Sequence, residues 1–154
     1  MNETLFYEEL VFLDCTFETQ RDFFEKICED IYSKGWVKDT FKDAIIQREK
    51  TFSTGLETQP FSVAIPHTDA EHVAKNFIAF IRVKEPVTFT HMGIPDKEVQ
   101  AEMMFMLGIA DPTNQVKVLS NMIELLSNEE MMKTLMVEQS KKAIVEKMNK
   151  VVSL

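Results

Sequence analysis

The chain has 154 residues, the size of one ordinary domain, and needs no disulfide or metal staple to bury a core. Its formal charge of −8 weighs against duplex nucleic acid or an anionic membrane surface as the main partner, since both repel such a field. Hydrophobic residues at 45% against charged residues at 27% predict a folded, water-soluble chain and exclude a disordered or fibrous one.

Two cysteines, Cys15 and Cys28, sit outside any CxxC or CxxH pattern, so reduced thiols in a cytoplasmic protein are expected. The N-terminal stretch is acidic and lacks the basic start of a signal peptide. No apolar run approaches the roughly 18 residues of a membrane span. No Pro/Gly/Ser-rich linker or repeat divides the chain, and one domain over residues 1–154 is the reading.

In chain order, Leu10–Leu13 suits a short strand. Over Thr19–Tyr32 the apolar residues Phe23, Phe24, Ile27, Cys28 and Ile31 recur at helical spacing, and Gly35 ends the segment. Thr40 with Asp43 has capping-box spacing for a second helix fading near Lys50, with Phe41, Ala44 and Ile45 inward. Phe61–Ile65 reads as a strand closed by Pro66. Phe77–Val83, Val87–Thr90 and Met103–Ile109 read as three more. Asp111-Pro112 places an acceptor before a proline at the first helical position, and Val116, Leu119, Met122, Ile123 and Leu126 form that helix's apolar face. Ser127 with Glu130 predicts a cap for a short helix carrying Met131, Leu135 and Met136, and a last helix runs from about Gln139 to Met148. Helices before, between and after strands predict an α/β fold, a central sheet covered on both faces. The ten methionines are assigned to core filling rather than to a thioether metal site.

The most informative segment is Phe61-Ser-Val-Ala-Ile-Pro-His-Thr-Asp-Ala-Glu-His72. An apolar strand ends, proline turns the chain, and His67 emerges first, where its imidazole can meet another molecule from a rigid support. A neutral imidazole serves as base, ligand or nucleophile. His67, Asp69 and His72 offer N and O donors, but without a recognised zinc spacing or a clear further ligand, so no metal is assigned. Asp69 can instead cap a following helix, with His72 orienting a side chain or facing solvent. Arg48, three residues after Ile45, turns toward an apolar face and requires an anion or several acceptors. Two readings stay open for it: an arginine paired with Glu49 or another surface acid, or a fixed guanidinium screening a phosphoryl group on His67. His91 reads as a loop histidine. No glycine spacing suggests a nucleotide loop.

Arg48-Glu49, Ser53-Thr54-Gly55-Leu56 and Val63-Ala64-Ile65-Pro66-His67, followed by Met106-Leu107-Gly108-Ile109-Ala110 and Asn114-Gln115-Val116, closely resemble phosphotransferase-system enzyme IIA proteins of the fructose/mannitol superfamily. The resemblance covers about residues 5–148. It implies a mixed β-sheet between helices and a cytoplasmic phosphocarrier without cofactor, one that takes phosphate from phospho-HPr and gives it to a sugar-specific IIB working with a membrane IIC. By the motif match, His67 is the phosphorylated residue, at Nε2 as in the family, and Arg48 stabilises the phosphate. Mannitol-type members carry a second histidine where this chain has Gln115. That departure, the Pro-His-Thr-Asp-Ala-Glu-His run and the one-domain length look more like the galactitol-type branch. Gln115 then donates through its amide, and Thr68 offers a hydroxyl. A IIA-like regulatory module and a metal-dependent hydrolase are the alternative classes.

Overall fold

The computed structural model describes residues 3–154; Met1 and Asn2, which open the N-terminal stretch discussed above, lie outside the described residues. The elements are β1 (Val11–Cys15), α1 (Gln20–Ser33), α2 (Phe41–Thr51), β2 (Gly55–Leu56), β3 (Val63–Ala64), β4 (Phe77–Thr90), β5 (Glu98–Gly108), α3 (Pro112–Leu126), α4 (Glu129–Val137) and α5 (Lys141–Val151). The strands form one mixed sheet in the order β1-β4-β5-β3-β2, with β1–β4 and β3–β5 parallel and β4–β5 and β2–β3 antiparallel. This is the α/β architecture expected from the sequence.

Side-chain alternation along the two long strands explains the layering. Phe77, Ala79, Ile81 and Val83 of β4, with Met104 and Met106 of β5, face the core formed with α1 and α2. Ile78 and Phe80, with Met103, Phe105 and Leu107, face the opposite core, formed with α3, α4 and α5. Both faces of these strands are covered, so they read as nearly continuous apolar runs. Arg82 falls on the second face and is 2% exposed. It donates through Nη1 to the carbonyls of Leu135 (2.9 Å) and Glu138 (2.7 Å), which close α4.

Helix ends follow local chemistry. Thr19 caps α1 by accepting from Asp22 N–H. At its other end Gly35 has φ 84°, and Gly35 N–H and Trp36 N–H reach back to the Tyr32 and Ile31 carbonyls, a glycine-terminated reversal that residues with a Cβ disfavour. Asp111 accepts from Asn114 N–H and Pro112 opens α3, as the sequence predicts.

Several expectations are corrected. Phe77–Val83 and Val87–Thr90 are one strand; its pairing with β5 shifts between Arg82 and Val87, where Pro86 has no N–H to donate. Only Val63–Ala64 of the Phe61–Ile65 run pairs, and the strand at Met103–Ile109 begins earlier, at Glu98. Thr40 makes no cap bond; its hydroxyl lies 2.8 Å from His72 Nδ1. The α4 cap is Asn128, accepting from Met131 N–H, while the Ser127 hydroxyl bonds back to the Glu124 carbonyl. Along α3, Val118, Met122, Leu125 and Leu126 are buried, whereas Val116 and Ile123 are exposed.

Candidate functional site

His67 is placed by the sheet. Leu107 N–H donates to the Pro66 carbonyl at 3.0 Å, carrying the β3–β5 alignment on to His67 itself. The imidazole Nδ1 lies 2.8 Å from the Ile65 carbonyl oxygen. A carbonyl only accepts, so the hydrogen belongs on Nδ1 and the lone pair on Nε2. Burial is the main cause holding the His67 pKa below its ordinary 6.5, with the Arg48 charge adding to it; the Ile65 hydrogen bond and Asp69 pull the other way. At neutral pH the ring is therefore uncharged, with its lone pair on Nε2.

The ring borders a surface hollow of about 710 Å³ whose walls include Phe52, Thr54, Met92, Ile94 and Ile123. Four of these wall residues, Phe52, Met92, Ile94 and Ile123, are large exposed apolar side chains, and Val116 stands exposed next to Gln115. The two α3 residues expected in the core, Val116 and Ile123, therefore belong to an outward stripe.

Arg48 sits in the last turn of α2. Its Nη1 is 3.5 Å from Asp69 Oδ1, a long contact to an exposed carboxylate, and its guanidinium lies 4.5 Å from the centre of the Phe52 ring. Glu49 is not its partner. That side chain turns inward and accepts from Thr54 N–H at 2.7 Å and from the Thr54 hydroxyl at 2.8 Å. Asp69, suggested above as a helix cap, makes no cap bond and is engaged with Arg48 instead.

Gln115 lies in the first turn of α3, and its Nε2 donates to the Thr68 carbonyl at 2.7 Å. Thr68 thus meets Gln115 through its backbone, and its side chain is buried. His67, Arg48, Thr68 and Gln115 are brought together from α2, the segment after β3 and the start of α3. His72 is not part of this group, being directed at Thr40. His91 is a loop residue whose Nδ1 accepts from Gly93 N–H, and it borders the same hollow. Among the described residues no three His, Cys, Asp or Glu side chains converge as a metal cluster, and no helix is long and apolar enough to cross a membrane.

The sequence reading missed two contributors, Phe52 and the buried Glu49. A signal for Glu49 existed: it follows Ile45 by four residues and Ile46 by three, both of them buried, which is the inward stripe of α2.

The chain is 30% identical over 109 residues to the galactitol-specific EIIA component of a PTS system in Escherichia coli (strain K12), covering 71% of this chain and 72% of that one. It is 32% identical over 115 residues to the fructose-specific EIIABC component of Bacillus subtilis (strain 168), covering 73% of this chain but 17% of that larger protein. Its fold superposes on the crystal structure of nitrogen regulatory protein IIA-Ntr from Neisseria meningitidis with a TM-score of 0.71 at 25% identity, over 92% of this chain and 94% of that one. Galactitol and fructose relatives at similar identity leave the branch undivided. The family of EIIA 2 proteins of the phosphoenolpyruvate-dependent sugar phosphotransferase system matches residues 4–151. Matched along nearly its whole length, with a strand-end histidine set beside an arginine, this chain belongs to that family and is a IIA phosphocarrier of a phosphohistidine relay.

Proposed function

We propose that His67 is the residue that carries the phosphoryl group, received from phospho-HPr and passed to a cognate IIB in the cytoplasm, for sugar taken up through a membrane IIC. The observation that carries this reading is the Nδ1 contact to the Ile65 carbonyl, which leaves Nε2 as the nucleophilic nitrogen of a ring bordering an open hollow. The Nε2 lone pair attacks phosphorus, the donor's N–P bond breaks, and its electron pair returns to the donor imidazole. The phosphorylated ring gains positive character, which the Ile65 carbonyl stabilises through Nδ1–H. Transfer to IIB repeats the displacement with His67 as the leaving group.

In this reading Arg48 leaves its long contact with Asp69 for the phosphoryl oxygens. Gln115 spends one amide hydrogen on Thr68 and keeps the other for phosphate, near the start of α3. Thr68 supports Gln115 through its carbonyl. The chain acts as one domain, residues 1–154 with a core of about 5–148, and the exposed apolar side chains around the hollow form the docking collar for both carriers.

Galactitol-type transport is the branch we favour. Gln115 in place of a second histidine supports it, as does the similarity to the galactitol-specific component. A regulatory phosphoacceptor is the second reading, supported by the likeness to IIA-Ntr.

A relay of phosphoenolpyruvate, enzyme I, HPr and a panel of IIB proteins tests these points. Acid-labile label is expected on the wild type and absent from a folded His67→Ala variant, while His72→Ala and His91→Ala retain it. Label on folded His67→Ala overturns the assignment. Discharge by a galactitol-type IIB alone supports the branch, and discharge by no IIB favours the regulatory reading.

A further inference from the structure

Glu49 is the only buried carboxylate among the described residues, 4% exposed, and no basic side chain pairs with it. Its two oxygens are both spent on Thr54, one on the backbone N–H and one on the hydroxyl. The Ser53 hydroxyl closes the same turn by donating to the Glu49 carbonyl at 3.2 Å. Beyond the clasp, Ile65 N–H donates to the Thr54 carbonyl at 3.3 Å, and the Ile65 carbonyl is the acceptor for His67 Nδ1. A continuous bonded path thus runs from the end of α2 to the imidazole. Removing a carboxylate from water is costly; what it supplies here is an acceptor for each of the two buried Thr54 donors, which an apolar side chain would leave unpaired. Burial raises its pKa from 4.5 to about 7 against the opposing effect of the two Thr54 bonds.

We propose that Glu49 is a positioning residue for phosphoryl transfer: by clasping Thr54 it fixes the Ile65 carbonyl that keeps hydrogen on His67 Nδ1 and the lone pair on Nε2. The inference rests on His67 being the phosphoryl acceptor. The same clasp holds the turn that carries Phe52, two residues before Thr54, whose ring backs the Arg48 guanidinium. One carboxylate therefore orients the nucleophile and supports the residue that screens the phosphate.

Ring-nitrogen tautomers are read by long-range ¹H–¹⁵N NMR in alkaline buffer, where the imidazole is neutral. The proteins compared are wild type, Glu49→Gln, Thr54→Val and Thr54→Ser, with melting temperature and single-turnover acceptance from phospho-HPr measured on each. Gln presents one acceptor where the carboxylate presents two, and Val removes the hydroxyl donor. Both variants should shift His67 toward the Nε2–H form and slow acceptance about tenfold, which converts to about 1.4 kcal/mol of barrier. Ser restores the hydroxyl and should return the tautomer toward wild type. A lowered melting temperature with the wild-type tautomer and rate overturns the proposal and leaves Glu49 a structural residue. If Glu49→Gln does not fold, the Val and Ser pair at Thr54 decides the matter. If wild type takes no label on His67, the functional reading fails, while the tautomer populations still decide whether Glu49 sets the ring.

Discussion

Arg48 is the residue whose chemistry is most sharply testable. Lysine keeps the charge but loses the planar fork and the flat surface that lies against Phe52. Arg48→Lys should slow both acceptance and donation by about ten- to a hundredfold, the scale of about 1.5 to 3 kcal/mol for a charge-assisted hydrogen bond. Equal single-turnover rates in both directions would remove Arg48 from the transfer step. The histidine makes a pH prediction: its folded pKa lies below 6.5 because burial disfavours the cation, so acceptance should hold as pH falls to 6.5 and decline only below it. In stability terms the unfolded chain binds that proton first, so His67 costs stability as pH falls through 6.5. Glu49 has the opposite sign. Its folded pKa is raised from 4.5 to about 7, so the native state holds the extra proton and its contribution is lost as pH rises across that window, by about 3 kcal/mol in full. Glu49→Gln should flatten the fall in melting temperature between pH 4.5 and 7; a slope equal to wild type would show that the carboxyl titrates as in water.

At the level of elements, the close approach of β2 to the end of β4 sets a limit on substitution. A Cβ built on Gly55 would sit 2.7 Å from the Thr90 carbonyl oxygen, so Gly55→Ala should destabilise the protein by about 1–3 kcal/mol through strain, visible as a lower denaturation midpoint. What the sequence made legible tracks how local the signal is. The stripe of α1, its Gly35 terminus and the Asp111-Pro112 start of α3 depend on neighbours within one or two turns, and each is present in the fold. The two-residue strand β2 was not legible, because its pairing with β3 follows from the sheet rather than from its own composition. Arg82 passed unremarked inside an apolar run, since its acceptors lie more than fifty residues away on α4. The capping-box spacings at Thr40 and Ser127 misled for a related reason: each hydroxyl found another partner, His72 in one case and the Glu124 carbonyl in the other. The place of His67 just past a strand end and of Arg48 near the close of α2 follow from pattern and period; the inward turn of Glu49 also lay in the period of α2, but an acid beside an arginine suggests an ion pair before it suggests a clasp.

For the whole molecule, the balance between a chain charge of −8 and an apolar collar separates two parts of recognition. In the proposed relay, long-range attraction to a basic carrier would govern encounter and weaken with salt, whereas desolvation of the collar would govern how long the carriers stay together. Ile94 and Ile123 are each 47% exposed, so Ile94→Ser and Ile123→Ser should leave the melting temperature near wild type. Each should raise the KM for donor or acceptor about fivefold, corresponding to about 1 kcal/mol of lost contact; an unchanged KM for both carriers would place docking elsewhere. Because β3 is only two residues long, the amides around it differ in how they exchange with solvent. Ile65 N–H is held by Thr54 across a brief loop, while Leu107 N–H, from the interior strand β5, is held by Pro66. The first bond can open with the 52–54 turn alone, and the second opens only when the sheet does. Ile65 should therefore exchange with solvent far faster than Leu107, and its rate reports how often the histidine's support lets go while the rest of the protein stays folded.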